Sequence, residues 1–196
     1  MIGLKLKKRR FKNKSKIKLQ DRVFIAKRPK IINQRQRIGD TEGDFIVSGR
    51  CGKGILLVVV DRKIRVAFLK IIHKVTINEV HNAFLKIKKK FPEMKTLTLD
   101  NDILFKRHKE LSNLLNVKIY FCNPYHSWEK GMVENTNMQI RKYIPKGSDL
   151  SRYDKAEIFN IEKALNNRYM ERLNYNTPEE KLMEYRRRNK KQRCSI

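Results

Sequence analysis

The chain has 196 residues, 40% of them apolar, enough for one packed domain with extensions. Lys and Arg number 47 against 20 Asp and Glu, a formal net charge of +27, and a surplus of that size is tolerated best beside a polyanion. Nucleic acid is the first candidate partner, in an enzyme or in a protein that only coats or packages it; the composition argues against a disulfide framework, because Cys51, Cys122 and Cys194 are odd in number and far apart.

In chain order, residues 1–38 hold 15 Lys or Arg and a single acid, Asp21, and read as an extended basic arm with one short strand around Arg22–Ala26. The pattern changes near Gly39. Asp44–Ser48 reads as a strand. Ile55–Val60 is an unbroken apolar run suited to a strand buried on both faces, and Ile64–Ile72 is a third strand paired to it as a hairpin. The period then switches: Ile77, Val80, Phe84, Ile87 and Phe91 form one helical stripe, opened by Thr76 with Glu79 and stopped by Pro92. Leu97 and Leu99 alternate in a strand ending at Asp100. Leu104, His108, Leu111 and Leu115 form the next stripe, with His108 a core histidine and Asp102 a cap. Val117, Ile119 and Phe121 make a fifth strand. A helix runs from Ser127 to about Tyr143, its regular part beginning after Gly131. Beyond Pro145–Gly147, Asp154 with Glu157 caps a helix carrying Ile158, Ile161, Leu165 and Tyr169, and Thr177-Pro178-Glu179-Glu180 starts another.

Three antiparallel strands followed by alternating helix and strand predict an α/β fold with a mixed five-stranded sheet flanked by helices. That is the element order of the ribonuclease H fold. The division expected is a basic DNA-contacting arm (1–38), a ribonuclease H-like core (39–147) and a C-terminal helical extension with a basic tail (148–196). No apolar run reaches membrane-spanning length and no signal peptide opens the chain, so the expected location is the cytoplasm, on the nucleoid.

Three acids hold positions that this fold would bring together. Asp44 opens the first strand, Asp100 ends the fourth, and Glu134 lies on the helix after the fifth. Each alone reads equally as a cap, a turn residue or a solvated side chain, and a salt-bridge cluster is the bland alternative for all three. Joint occurrence favours catalysis. Three carboxylates suit hard cations such as Mg²⁺ or Mn²⁺, and two such ions can run an in-line displacement at phosphorus. Asp44, Asp100 and Glu134 are therefore the expected catalytic and metal-holding residues. Helical spacing puts Asn137, Met138 and Arg141 on the face of Glu134. Arg141, Lys142 and Lys146, with Arg35 and Arg37 of the arm, are the candidate DNA contacts.

At these residues a family pattern becomes visible. Arg28-Pro29, Arg35 through Gly39 and Glu42-Gly43-Asp44 resemble the approach to the first catalytic acid of IS-thirty-type insertion-sequence transposases. Thr98-Leu99-Asp100-Asn101 resembles the surroundings of the second. Tyr120-Phe121-Cys122-Asn123-Pro124-Tyr125, then Trp128, Gly131, Glu134-Asn135-Thr136-Asn137, Arg141 and Pro145-Lys146-Gly147 resemble the third, and Asn174 through Glu180 the closing segment. Thirty-three residues separate Asp100 from Glu134, the spacing of one DDE class. The resemblance spans about residues 25–185. It implies an integrase-like catalytic core, a divalent metal, cleavage at transposon ends, joining to target DNA and a homo-oligomeric active form. The sequence departs from the pattern at Thr41, Asp102, Leu104-Phe105 and Arg168–Arg172, and the helix-turn-helix region expected ahead of the core is not recognisable. A catalytically inactive remnant that only binds DNA is the alternative reading, and a structural RNA-binding protein the third.

Overall fold

The computed structural model describes residues 21–124 and 127–194. The first twenty residues of the basic arm lie outside the described residues, as do Tyr125, His126 and the Trp128 side chain of the longest motif. Five strands form one sheet in the order β3-β2-β1-β4-β5: β1 (Asp40–Val47), β2 (Ile55–Asp61), β3 (Ala67–Ile72), β4 (Thr96–Leu99) and β5 (Lys118–Phe121). The first three are antiparallel neighbours, and β4 and β5 join in parallel. The helices are α1 (Lys30–Asn33), α2 (Ile77–Lys90), α3 (His108–Leu115), α4 (Gly131–Ile140), α5 (Lys155–Asn166) and α6 (Pro178–Cys194). This is the mixed, helix-flanked sheet that the element order predicts.

The apolar run of β2 explains the layering. Leu57 and Val59 enter a core with Val80, Phe84 and Ile87 of α2 and Leu111 of α3. Leu56, Val58 and Val60 enter a second core with Val133 and Ile140 of α4 and Ile158, Ile161 and Leu165 of α5. Both faces of the strand are dry, so its sequence does not alternate. Helix starts follow their caps. Thr76 accepts the N–H of Glu79, Asp154 and Glu157 form a reciprocal capping box, and Thr177 and Glu180 exchange bonds at the start of α6.

Two strand boundaries differ from the sequence reading. β1 begins at Asp40, so Asp44 lies inside the strand and does not open it. The preceding Asp40, Thr41 and Glu42 are polar yet fully buried, each satisfied by a partner: Arg37 and Thr96 for Asp40, the Thr96 carbonyl for Thr41, Arg62 for Glu42. β3 begins at Ala67 and not at Ile64, because Asp61 draws the N–H groups of Lys63 and Ile64 into a turn and Arg65 takes a left-handed φ of 62°. Gly39 is obligatory at the entry to β1: its φ is +102°, and a Cβ would lie 2.1 Å from the Glu93 carbonyl oxygen.

Residues 21–38 are not extended. Phe24 makes a single parallel bridge to Phe121 in place of the expected strand, a 3-10 turn follows at Ile25–Lys27, and Ile32 and Arg28 are buried. Arg28 donates to Thr98 Oγ1 (3.1 Å) and Asn33 Oδ1 (2.7 Å), and burial beside Arg62 lowers its pKa to about 10. The half-buried Phe24 and the buried Ile32 outweigh the charge of this stretch and hold it against the sheet.

The C-terminal helices close the other edge. Asn166 of α5 both accepts from the Ala67 N–H and donates to the Ala67 carbonyl, each at 2.8 Å, and Glu162 accepts the Leu69 N–H at 2.6 Å. The outer edge of β3 is thus covered by side chains, which blocks edge-to-edge pairing. Among the described residues no helix is long and apolar enough to cross a membrane.

Candidate active site

Side chains alternate along a strand, so Glu42 and Asp44 share one face of β1 and Gly43 takes the other. A Cβ on Gly43 would meet Leu99 Cδ2 at 2.8 Å, so the Leu99 side chain from the neighbouring β4 covers that face. Glu42 fixes α4. Its Oε2 accepts the N–H groups of Met132 and Val133, both at 3.1 Å, while Oε1 accepts from Arg62 at 2.9 Å. A buried carboxylate at a helix N-terminus satisfies free N–H groups and offsets the positive end of the helix dipole.

With α4 held there, its next turns meet Asp44. Asn137 Nδ2 donates to Asp44 Oδ2 at 2.8 Å, and Lys130 Nζ, just ahead of the helix, donates to Asp44 Oδ1 at 3.0 Å. β1 and β4 run parallel with Glu42 opposite Thr98, so two residues further on Asp44 and Asp100 stand side by side. The Lys130 ammonium lies between them, 3.3 Å from Asp100 Oδ2 and 3.4 Å from the Gly43 carbonyl. Its side chain is 3% exposed, against 19% for Asp44 and 41% for Asp100, so the pair opens outward on the Asp100 side.

The electrostatics follow the packing. Burial raises the Asp100 pKa; Lys130 opposes this, and Asp44 and Asp102 add to it. Burial alone would lower the Lys130 pKa, but Asp100 and Asp44 outweigh it and hold the ammonium above the ordinary lysine value. Two carboxylates this close repel unless a positive charge stands between them, and here the protein supplies it.

Glu134 is four residues after Lys130 and three before Asn137. Those two residues both reach Asp44, and helical spacing puts Glu134 on the same stripe. The three acids do not close into a ligand set: among the described residues no three His, Cys, Asp or Glu side chains are spaced to hold one ion. Asp44 and Asp100 nevertheless share a cation, and their hard oxygen donors suit Mg²⁺ or Mn²⁺, so the residues fit such an ion.

The other sequence candidates separate. Arg37 is bound at both ends of its fork to the buried Asp40 (2.9 and 3.1 Å), which raises its pKa and gives it a structural role. Arg141 is half-buried and closes the end of α4 through the Pro145 carbonyl at 3.2 Å. Lys142 and Lys146 are exposed. Arg35 is half-buried near Arg65, whose pKa is lowered by burial and then by Arg172, Arg35 and Arg168. Asp102 caps the turn at Ile103–Phe105 as the sequence predicts. His108 is buried as expected, edge-on against Phe121 at 5.0 Å, but neither of its ring nitrogens has a hydrogen-bond partner among the described residues, where the sequence reading expects a satisfied histidine. Sequence reasoning missed Lys130 and the positioning role of Glu42. For Lys130 the spacing signal was present: it stands one turn ahead of Glu134.

This sheet order is that of the ribonuclease H-like fold of integrase catalytic cores, and it sets Asp44 inside β1, Asp100 just past β4 and Glu134 on α4, the helix after β5. The catalytic core domain of BIV integrase, a solved structure, superposes with a TM-score of 0.58 over 77% of this chain and 97% of that one at 18% identity. No family model matches the chain. It is 42% identical over 180 residues to the transposase for insertion sequence element IS4351 of Bacteroides fragilis, covering 91% of this chain and 55% of that protein. It is 35% identical over 160 residues to transposase InsI for IS30A of Escherichia coli strain K12, covering 80% of this chain and 41% of that one. Its homologues by sequence are insertion-sequence transposases of the IS-thirty type, and the chain spans about half the length of the curated relatives it matches.

Proposed function

We propose that this chain carries the catalytic core of a transposase, performing metal-dependent cleavage and strand transfer of DNA during movement of an insertion sequence. The observation that carries the reading is the convergence of Asp44 and Asp100 on one cation beneath the helix bearing Glu134. Asp44, Asp100 and Glu134 would hold one or two Mg²⁺ or Mn²⁺ ions. Such ions, when bound, supply a Lewis acid at the phosphate and lower the pKa of the attacking hydroxyl. Asp44 is the central residue, held in place by Asn137 and Lys130. Glu42 keeps α4, and so Glu134, in register with Asp44.

DNA is the partner, both transposon ends and target, and the active form is a homo-oligomer working on the nucleoid in the cytoplasm. A net charge of +27 supports a polyanion, and so does the crowding of Arg65 with Arg35, Arg168 and Arg172. Exposed Lys142 and Lys146 extend the basic surface beyond α4. Residues 39–147 form the core, 148–196 an extension, and 1–38 contribute DNA contacts.

The second reading is a chain that binds DNA without catalysis. It draws on Lys130, which satisfies Asp44 and Asp100 with no metal. The purified protein, given DNA carrying the element's ends with Mg²⁺ or Mn²⁺, separates the two. The transposase reading predicts nicking and joining that Asp100→Asn abolishes while DNA binding persists. A folded, DNA-binding protein inert with either metal supports the second.

A further inference from the structure

We propose that Lys130 is a built-in counter-ion of the acidic pair, and that a divalent ion enters the site by displacing its ammonium. This loading step rests on the active-site reading above. Lys130 Nζ contacts three oxygens, Asp44 Oδ1 at 3.0 Å, Asp100 Oδ2 at 3.3 Å and the Gly43 carbonyl at 3.4 Å. These are hard oxygen donors of the kind that Mg²⁺ and Mn²⁺ select, at roughly 2–2.5 Å. An ion bridging Asp44 and Asp100 would occupy the place of the ammonium, and two cations cannot share it.

The position of the lysine accounts for both of its states. Without metal, a side chain 3% exposed is charged at a tolerable cost only because two carboxylates face it, and they in turn are relieved of mutual repulsion. Lys130 therefore holds the metal-free site together. It stands at the joint between the 3-10 turn Ser127–Lys130 and α4, outside regular helical geometry with ψ of 37°. A four-carbon stem on such a joint can withdraw by rotating about its own bonds without unwinding α4, which Glu42 anchors from the strand side. The site thus carries a threshold against metal. Lys130 offsets one of its two carboxylate charges, and a divalent ion loads only when it outcompetes that internal cation.

Mn²⁺ binding to the full chain, read from the loss of the free-ion electron paramagnetic resonance signal, tests this without reference to turnover. Lys130→Met is expected to bind Mn²⁺ at least about ten-fold more tightly than the parent and Lys130→Arg no more tightly. Asp100→Asn is expected to lose the binding. A Lys130→Met affinity equal to the parent's, with Asp100→Asn still abolishing binding, overturns the counter-ion and leaves the metal site standing. Binding indifferent to Asp100→Asn overturns the metal site itself. Acetylation of the unaltered chain, mapped by mass spectrometry, needs no variant: the Lys130 amine should be protected without metal and become reactive with saturating Mg²⁺. Protection that persists with Mg²⁺ overturns the displacement.

Discussion

Glu42 on β1 accepts the backbone N–H of Val133 on α4 at 3.1 Å, tying the helix that bears Glu134 to the strand that bears Asp44. Replacing Glu42 with Gln leaves the buried Arg62 without its carboxylate and points an amide donor at another donor. A loss of roughly 3 kcal/mol is expected in urea unfolding, since breaking a buried ion pair strands a charge. Amide exchange at Met132 and Val133 should accelerate in the same variant. Unchanged protection there would show that α4 is placed by its apolar face alone.

Asn166 is expected to matter to the sheet as much as to its own helix. Asn166→Ala leaves the Ala67 N–H and carbonyl without partners in a buried setting, at a cost of about 1–3 kcal/mol. Chemical unfolding measures it. Because Asn166 lies in the proposed extension, a cooperative loss of the whole fold, with no separate early transition, would show that α5 and the sheet unfold together.

Asp61 gives the stability a pH dependence of definite sign. Burial raises its pKa from 3.8 to about 6, against the opposing N–H bonds from Ile64, Gly39 and Lys63. The folded state therefore holds this proton more tightly than the unfolded chain between those two values. The Asp61 contribution to stability accordingly falls as pH rises from about 4 to about 6, and is flat above that. The difference in unfolding free energy between the parent and Asp61→Asn should shift against the parent across the same window. A difference that does not vary with pH would contradict it.

DNA affinity should fall steeply with salt, and the contributing residues should divide by exposure. Lys142→Ala with Lys146→Ala is expected to reduce the slope of log affinity against log salt by about 0.9 for each phosphate no longer neutralised, with the melting temperature unchanged. Arg37→Ala should instead lower the melting temperature, because it frees the buried Asp40. A reversed pattern, with Arg37 governing the salt slope, would place DNA on the opposite end of β1.

Much of this fold is legible in the sequence because its cores are periodic. The run Ile55–Val60 and the stripes of α2, α3 and α5 declare most of their buried faces directly, though Tyr169, read as the last member of the α5 stripe, lies beyond the helix end at Asn166 and is exposed. The entry to β1 is not legible: Asp40, Thr41 and Glu42 look like solvent-facing residues, and it takes Arg37, Thr96, Arg62 and the N–H groups of Met132 and Val133 to make their burial tolerable. Long-range pairing of that kind leaves no local pattern. Likewise the sequence puts Asp44 and Asp100 on neighbouring strands, but the cation between them comes from a lysine 30 residues beyond Asp100. The start of β3 departs from the apolar pattern for a local reason, the turn that Asp61 gathers around the left-handed Arg65.

The most direct test is the anomalous scattering of Mn²⁺ in crystals of the protein. A peak is expected beside the present position of the Lys130 ammonium, about 2–2.5 Å from carboxylate oxygens of Asp44 and Asp100, with Glu134 turned toward it. Density for Mn²⁺ elsewhere, or none at saturating metal while Lys130 keeps its place, would contradict the assignment of these acids to catalysis.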